Sequence, residues 1–170
     1  MIKLKKASLE ELDIINSLCE EAKKDYKLWD SEYPTYEDFL SCFEDVGVYI
    51  LVDDSEIIGS ISAEASDAGD NYVSLSKFFI VKKYKRQGYG RLLFKLIEEE
   101  FKNKYEYIDF YVDERHPFAF KMYESFGYTD LGRASVSWES DHYYHRFIKR
   151  IENDWSASPQ YWVLGTFVLK

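Results

Sequence analysis

A chain of 170 residues is long enough to bury a substantial core and too short for two ordinary domains, so one domain over 1–170 is expected. Its net charge of -9 argues against nucleic acid as a partner, because that binding runs on Lys and Arg neutralising phosphates. No apolar run reaches the roughly 18 residues that span a bilayer, and Met1 to Lys6 lacks the pattern of a signal peptide, so no membrane partner and a cytoplasmic address are expected.

Ile2 to Ala7 alternates enough for a first strand, after which Ser8 and Glu11 form a capping box opening a helix to about Tyr26. Leu12, Ile15, Leu18, Cys19 and Ala22 give that helix one buried stripe. Past the turn-like Trp29 to Pro34, Thr35 with Asp38 repeats the box and opens a second short helix with Phe39, Leu40 and Phe43 on its apolar face. Cys19 and Cys42 lack metal or redox spacing and read as free buried thiols. Val48 to Val52 and Glu56 to Ala65 form a hairpin around Asp53-Asp54-Ser55, and Asp67 to Asn71 turns into a strand from Tyr72 to Val81.

A glycine-bearing loop then leads to a helix from about Gly88 to Lys102, with Leu92, Leu93, Leu96, Ile97 and Phe101 inward. Tyr107 to Val112 is a strand, and Pro117 to Phe126 a helix with Pro in its first turn and Gly127 past its end. Strand, crossover helix and strand imply one parallel pair in an otherwise antiparallel sheet. Leu131 to Trp138 and His142 to Ile151 form a hairpin, or the second of them is a helix carrying Tyr144, Phe147, Ile148, Ile151 and Trp155. His142 and His145 would share a face of that helix, but two His without a third ligand make no metal site, and none is expected. Tyr161 to Leu169 reads as a last strand, and 131–170 as a variable C-terminal part.

The chemistry concentrates between Phe78 and Leu93, where a buried strand runs through a loop into a helix. Such a junction aims backbone N–H groups and the positive helix end at one point, which binds anions. Gly88 and Gly90 let the backbone approach a pyrophosphate, and Lys85, Arg86 and Arg91 add positive charge. A tight turn that needs Gly for its dihedrals alone explains the same glycines. A P-loop is absent, and a dinucleotide fingerprint needs a third Gly where Leu93 stands, with Asp109 inside its strand instead of at its end.

Lys85-Arg86-Gln87-Gly88-Tyr89-Gly90 resembles the pyrophosphate loop of the GNAT acetyltransferase superfamily, with Lys85 where that loop carries Gln or Arg. His116-Pro117-Phe118-Ala119, followed by Tyr123 and then Gly127-Tyr128, is similar to the family's later helix, with His116 in place of Asn. Trp29 to Pro34 is similar to a pairing found in some bacterial members. The resemblance implies an α/β fold whose mixed, mostly antiparallel sheet splays between strands 4 and 5, with acetyl-CoA in the gap. Amides from Arg86 through Arg91 would cradle its pyrophosphate, and main-chain groups of Phe79, Ile80 and Val81 would pair with its pantetheine arm. His116 and Ala119 would flank that arm.

The resemblance further implies direct acetyl transfer to the primary amine of a small molecule or peptide, with Tyr123 as the acid that meets the thiolate. A phenol and a thiol have reference pKa values of about 10 and about 8.5, so that transfer is accessible. An amine of pKa about 10.4 needs a base. Glu64 is the first candidate, with Asp113, Glu114 or an ordered water behind it. The acidic residues from Asp25 to Asp45, interleaved with Tyr26, Trp29, Tyr33 and Tyr36, either line a cleft for a cationic amine or are solvated helix faces. A CoA-binding module without turnover is the alternative, an oxidoreductase the third reading. An exposed last strand would pair two subunits into a homodimer.

Overall fold

The computed structural model describes residues 1–25, 32–138 and 140–151. Both capping boxes form. Ser8 donates its N–H to Glu11 Oε1 at 2.9 Å and opens a 3₁₀ turn, Leu9–Glu11, ahead of α1 (Leu12–Lys23). Thr35 donates to Asp38 Oδ2 at 2.8 Å and accepts the Asp38 N–H, starting α2 (Tyr36–Glu44). The strands are β1 (Ile2–Lys6), β2 (Gly47–Asp53), β3 (Glu56–Ala65), β4 (Tyr72–Ile80), β5 (Tyr107–Asp113), β6 (Thr129–Ala134) and β7 (Tyr144–Arg150). The remaining helices are α3 (Tyr89–Phe101) and α4 (Pro117–Ser125).

These strands make one sheet in the order β1-β2-β3-β4-β5-β7-β6, antiparallel except for β4 beside β5. On one face, Leu12, Ile15, Cys19, Phe39 and Cys42 of α1 and α2 pack on Val48, Ile50 and Val52. On the other, Leu93, Phe94, Ile97 and Phe101 of α3 pack on Tyr49, Leu51, Ile61 and Phe110. β2 is buried on both faces, and each large apolar side chain enclosed this way contributes about 1.5–3 kcal/mol. Cys19 and Cys42 are buried free thiols. No helix among the described residues is long and apolar enough to cross a membrane.

A bulge in β4 reverses which face its side chains take. Ser62 pairs with Ser76 but Ser60 pairs with Phe79, so two steps on β3 oppose three on β4. Lys77 absorbs the extra residue at φ 55°. Val73 and Leu75 therefore point to the α3 face, whereas beyond the bulge Phe79 points to the α1–α2 face and Phe78 and Ile80 return to α3. β3 and β4 then approach so closely that a Cβ on Gly59 would lie 2.8 Å from the Phe79 carbonyl oxygen and 2.6 Å from Ile80 Cδ1.

The parallel pairing of β4 with β5 runs only from Tyr72↔Tyr107 to Ser74↔Asp109. β5 meanwhile pairs with β7 along its whole length, from Tyr107↔Arg150 to Asp113↔Tyr144. This decides the tail in favour of the hairpin: 144–150 is a strand, and its helix-like spacing buries Phe147 fully while Tyr144 and Ile148 stay half-exposed. β6 spans Thr129–Ala134 instead of Leu131 to Trp138, because its pairing with β7 shifts register between Asp130 and Arg133 and ends at Ala134↔Tyr144. The expected strand from Tyr161 to Leu169, with Trp155, and the stretch Tyr26 to Ser31 lie outside the described residues.

Since the Phe79 carbonyl cannot swing away as a side chain would, Gly59→Ala should cost about 1–3 kcal/mol. The expected readout is a lower denaturant midpoint at unchanged m-value; an unchanged midpoint would contradict the close approach.

Candidate active site

Past Ser74 no further β4–β5 pair forms among the described residues, and β4 leads through Val81 and a 3₁₀ turn, Lys82–Tyr84, into α3. Arg86 at φ 63° and Gly88 at φ 84° bend this loop. Gly88 is the N-cap, with no side-chain cap, and the first intrahelical bond runs from the Leu92 N–H to Gly88 O at 3.1 Å. The amides of Tyr89, Gly90 and Arg91 precede that bond and head the positive end of α3. Nothing lies within 4 Å of where a Gly88 Cβ would stand, so its dihedral demands glycine while the space before it stays open. At Gly90 the reason is packing: a Cβ would come within 3.2 Å of Phe78 Cζ.

From this turn a cleft of 2710 Å³ extends between the parted strands. Phe79, Ile80, Lys85, Arg86, Gly88, Tyr89 and Gly90 line its first part, and His116, Ala119 and Tyr123 its middle. Three of the expected cofactor contacts turn their side chains elsewhere. Val81 packs in the α1–α2 core and donates its N–H to Ile58 O at 2.8 Å. Gln87 Nε2 donates to Lys83 O at 3.0 Å. The Arg91 guanidinium donates to Ser125 O and Oγ, both at 3.2 Å, and lies 4.9 Å from the Phe126 ring centre, tying α3 to α4.

Tyr123 is wedged among Phe110, Phe94 and Phe147, with ring centres 4.7, 5.6 and 5.9 Å away, so its half-buried ring has little freedom beside the cleft. His116 caps α4 through its backbone alone, its carbonyl accepting the Ala119 N–H at 3.0 Å.

The three carboxylate candidates for base are now unequal. Asp113 is gripped by Arg115, Nη2 to Oδ2 at 2.7 Å, with His142 Nε2 at 3.0 Å. Burial raises the Asp113 pKa, but the Arg115 bonds outweigh it and hold the carboxyl below its ordinary value. Glu114 accepts from Arg133 Nε at 2.8 Å and lies 3.0 Å from His145 Nε2, and these bonds lower its pKa to about 2. Among the described residues, by contrast, no cationic side chain lies within ion-pair distance of the half-buried, cleft-lining Glu64, whose Oε2 lies 3.9 Å from Cys42 Sγ.

Two features escaped the sequence reading. Lys77 is only 8% exposed and lines the cleft near Glu64, its Nζ 3.2 Å from Cys42 Sγ and 5.4 Å from the Tyr33 ring centre. Burial pulls its pKa down, but Tyr33 and Cys42 raise it more, so the ammonium stays charged. Its signal was a Lys in the apolar phase of Val73, Leu75 and Phe79. The other is the far wall, where Tyr111, Trp138, His142 and Tyr144 meet. Asp109 is no ribose ligand, because it is buried at 2% exposure, with its Oδ2 accepting from Arg146 Nη2 at 2.6 Å and Ser66 Oγ at 2.9 Å.

Residues 19–143 match the acetyltransferase (GNAT) domain family. The chain belongs to that family. It is therefore an acyltransferase, with the mixed, splayed sheet the resemblance implied. Similar folds include spermidine N-acetyltransferase from Vibrio cholerae, solved with CoA and spermine, at 13% identity and TM-score 0.69 over 88% of this chain and 95% of that one. The ribosomal-protein-S18-alanine N-acetyltransferase from Escherichia coli also has 13% identity and TM-score 0.69, over 90% and 96%. Ard1 from Thermoplasma volcanium has 11% identity and TM-score 0.73, over 89% and 99%. At these identities the likeness is one of fold. No curated protein sequence matches the chain.

Behind the cleft, His145 Nδ1 sits 2.9 Å from Asp130 Oδ1 and its Nε2 faces Glu114, clasping β6 and β7 to the end of β5. Burial disfavours the charged ring, yet the two carboxylates raise its pKa above the ordinary 6.5. A raised folded pKa means that this stabilisation is complete below pH 6.5 and is lost as pH climbs through the folded value. Thermal midpoints should thus fall between about pH 6 and about pH 8, and His145→Gln should flatten that slope; an identical slope in the variant would count against the clasp.

Proposed function

We propose that this acyltransferase moves the acetyl group of acetyl-CoA directly to a primary amine of a small molecule or peptide. The observation that carries the reading is the convergence, on one cleft, of the open turn at Gly88, the unpaired edge of β4 and the fixed ring of Tyr123. The residues present fit the co-substrate. Amides of residues 86–91 would hold the pyrophosphate, with Lys85 and Arg86 supplying charge. The β4 edge at Phe79 and Ile80 would pair with the pantetheine arm as an added strand would, with His116 and Ala119 across from it.

In this reading the chain supplies two proton steps. Glu64, directly or through one water, takes a proton from the substrate's ammonium group so that the neutral amine attacks, and Tyr123 protonates the departing thiolate and regains a proton from the nitrogen that becomes the amide. Each side chain stands on a regular element, β3 or α4, which fixes its direction. The far end of the cleft would admit the amine. The CoA and spermine bound to the Vibrio cholerae enzyme of similar fold support a cleft that takes both partners.

The deciding measurement is release of CoA thiol in the presence of a panel of amines. Tyr123→Phe should lower kcat about 10²- to 10⁴-fold while leaving the affinity for acetyl-CoA intact, and Glu64→Gln should lower kcat about 10²-fold. Thermal stabilisation by acetyl-CoA with no turnover on any amine would make the protein a binding module instead; stabilisation by NAD alone would overturn the co-substrate itself.

A further inference from the structure

The cleft is electrically polar along its length. Lys82, Lys85 and Arg86 crowd the end near Gly88, where Asp25 lies 3.6 Å from Lys82 Nζ and 3.5 Å from Lys85 Nζ, while Glu64, Asp67, Asp113 and Asp141 line the other. Within that acidic end Lys77 and Arg115 offset two of the four carboxylates, and His142 Nδ1 lies 2.8 Å from Asp141 Oδ1, so the carboxylates still outnumber the Lys and Arg side chains. Trp138 stands between two tyrosines. The Tyr111 ring centre is 5.7 Å from it at 86°, and the Tyr144 ring centre 5.1 Å at 80°. Two rings set nearly square to an indole form an aromatic corner, with His142 5.0 Å from the Tyr144 ring centre, and all three aromatic side chains line the cleft.

Elsewhere in the molecule the chain's own cations sit over aromatic rings, as Arg133 does on Tyr143 at 3.7 Å and Arg146 on Tyr72 at 5.5 Å. Among the described residues, no Lys or Arg lies over the ring of Trp138, Tyr111 or Tyr144. Trp138 remains 44% exposed although it faces a cleft rich in carboxylates.

We propose that the Trp138–Tyr111–Tyr144 corner seats a second, non-reacting cationic group of the acceptor, an alkylammonium or N-methylated ammonium separated from the acetylated amine by a short apolar spacer. The corner holds that group by cation–π attraction, and the carboxylates around it supply the long-range pull. An acceptor with one amine and an apolar tail would forgo both. The inference rests on the acetyltransferase reading for its kinetic arm only.

The kinetic arm compares 1,4-diaminobutane with butylamine. The full chain should show a KM about tenfold lower for the diamine; Trp138→Leu should abolish that preference and Trp138→Phe restore part of it. Equal KM values in the full chain, or a preference that survives Trp138→Leu in a protein of unaltered thermal midpoint, would overturn the proposal. The second arm needs no turnover. Of the indole N–H signals in a ¹H–¹⁵N spectrum, the one lost in Trp138→Leu belongs to Trp138, and in the full chain it should shift with tetramethylammonium and not with tert-butanol. A silent amine panel with that selective shift would fail the transfer reaction and keep the corner, whereas no shift, or an equal shift with both probes, would fail the corner whatever the turnover.

Discussion

The molecule depends on a sheet that parts. β4 and β5 share three residue pairs and then separate, which deprives each strand of backbone hydrogen bonds on one side. Unmet backbone groups are costly when cut off from water. Here they border an open cleft, and β5 is anchored along its other edge by β7 over seven residue pairs, so the opening survives. The same separation leaves the β4 edge past Ser74 without a β5 partner along the cleft, and it brings α3 and α4 to the two sides of one gap.

The bulge at Lys77 serves this arrangement. Without the extra residue, Phe79 would stay in phase with Val73 and Leu75 and face α3; with it, Phe78 and Ile80 face α3 and Phe79 faces α1 and α2. The strand thus changes faces just before it enters the turn at Gly88. Lys77 takes a left-handed backbone there, and its ammonium is enclosed beside Cys42, Tyr33 and Ser76 in the part of the cleft near Glu64. A buried cation is stable only with such partners.

Charge is sorted by the same geometry. The loop after β4 carries Lys82, Lys85 and Arg86 beside Asp25, and the ends of β3, β5 and the stretch before β7 carry most of the cleft's carboxylates, beside Lys77 and Arg115. Arg115 and Arg133 tie Asp113 and Glu114 into ion pairs, which distinguishes them from Glu64 although all three are ordinary acidic residues in the chain.

What the sequence determined by itself is local. Two capping boxes reach across three residues, helix stripes repeat within a few turns, and the glycine turn and the Tyr123 helix are each written in about a dozen consecutive positions. The family resemblance rested on those two stretches, and the domain match over residues 19–143 contains both. The tertiary structure decided whatever depends on a distant partner. Residues 144–150 have nearly helical spacing, yet they form a strand because β5 offers a free edge on the side away from β4. The phase reversal in β4 needs β3 opposite it, the confinement of Asp113 and Glu114 needs side chains up to 31 positions away, and the corner of Tyr111, Trp138 and Tyr144 needs three separate segments to meet. Periodicity and capping are short-range and leave a full trace in the chain; pairing between remote strands is chosen by the energy of the whole sheet, so the chain shows the parallel pair through its crossover helix but not the bulge or the partner of 144–150.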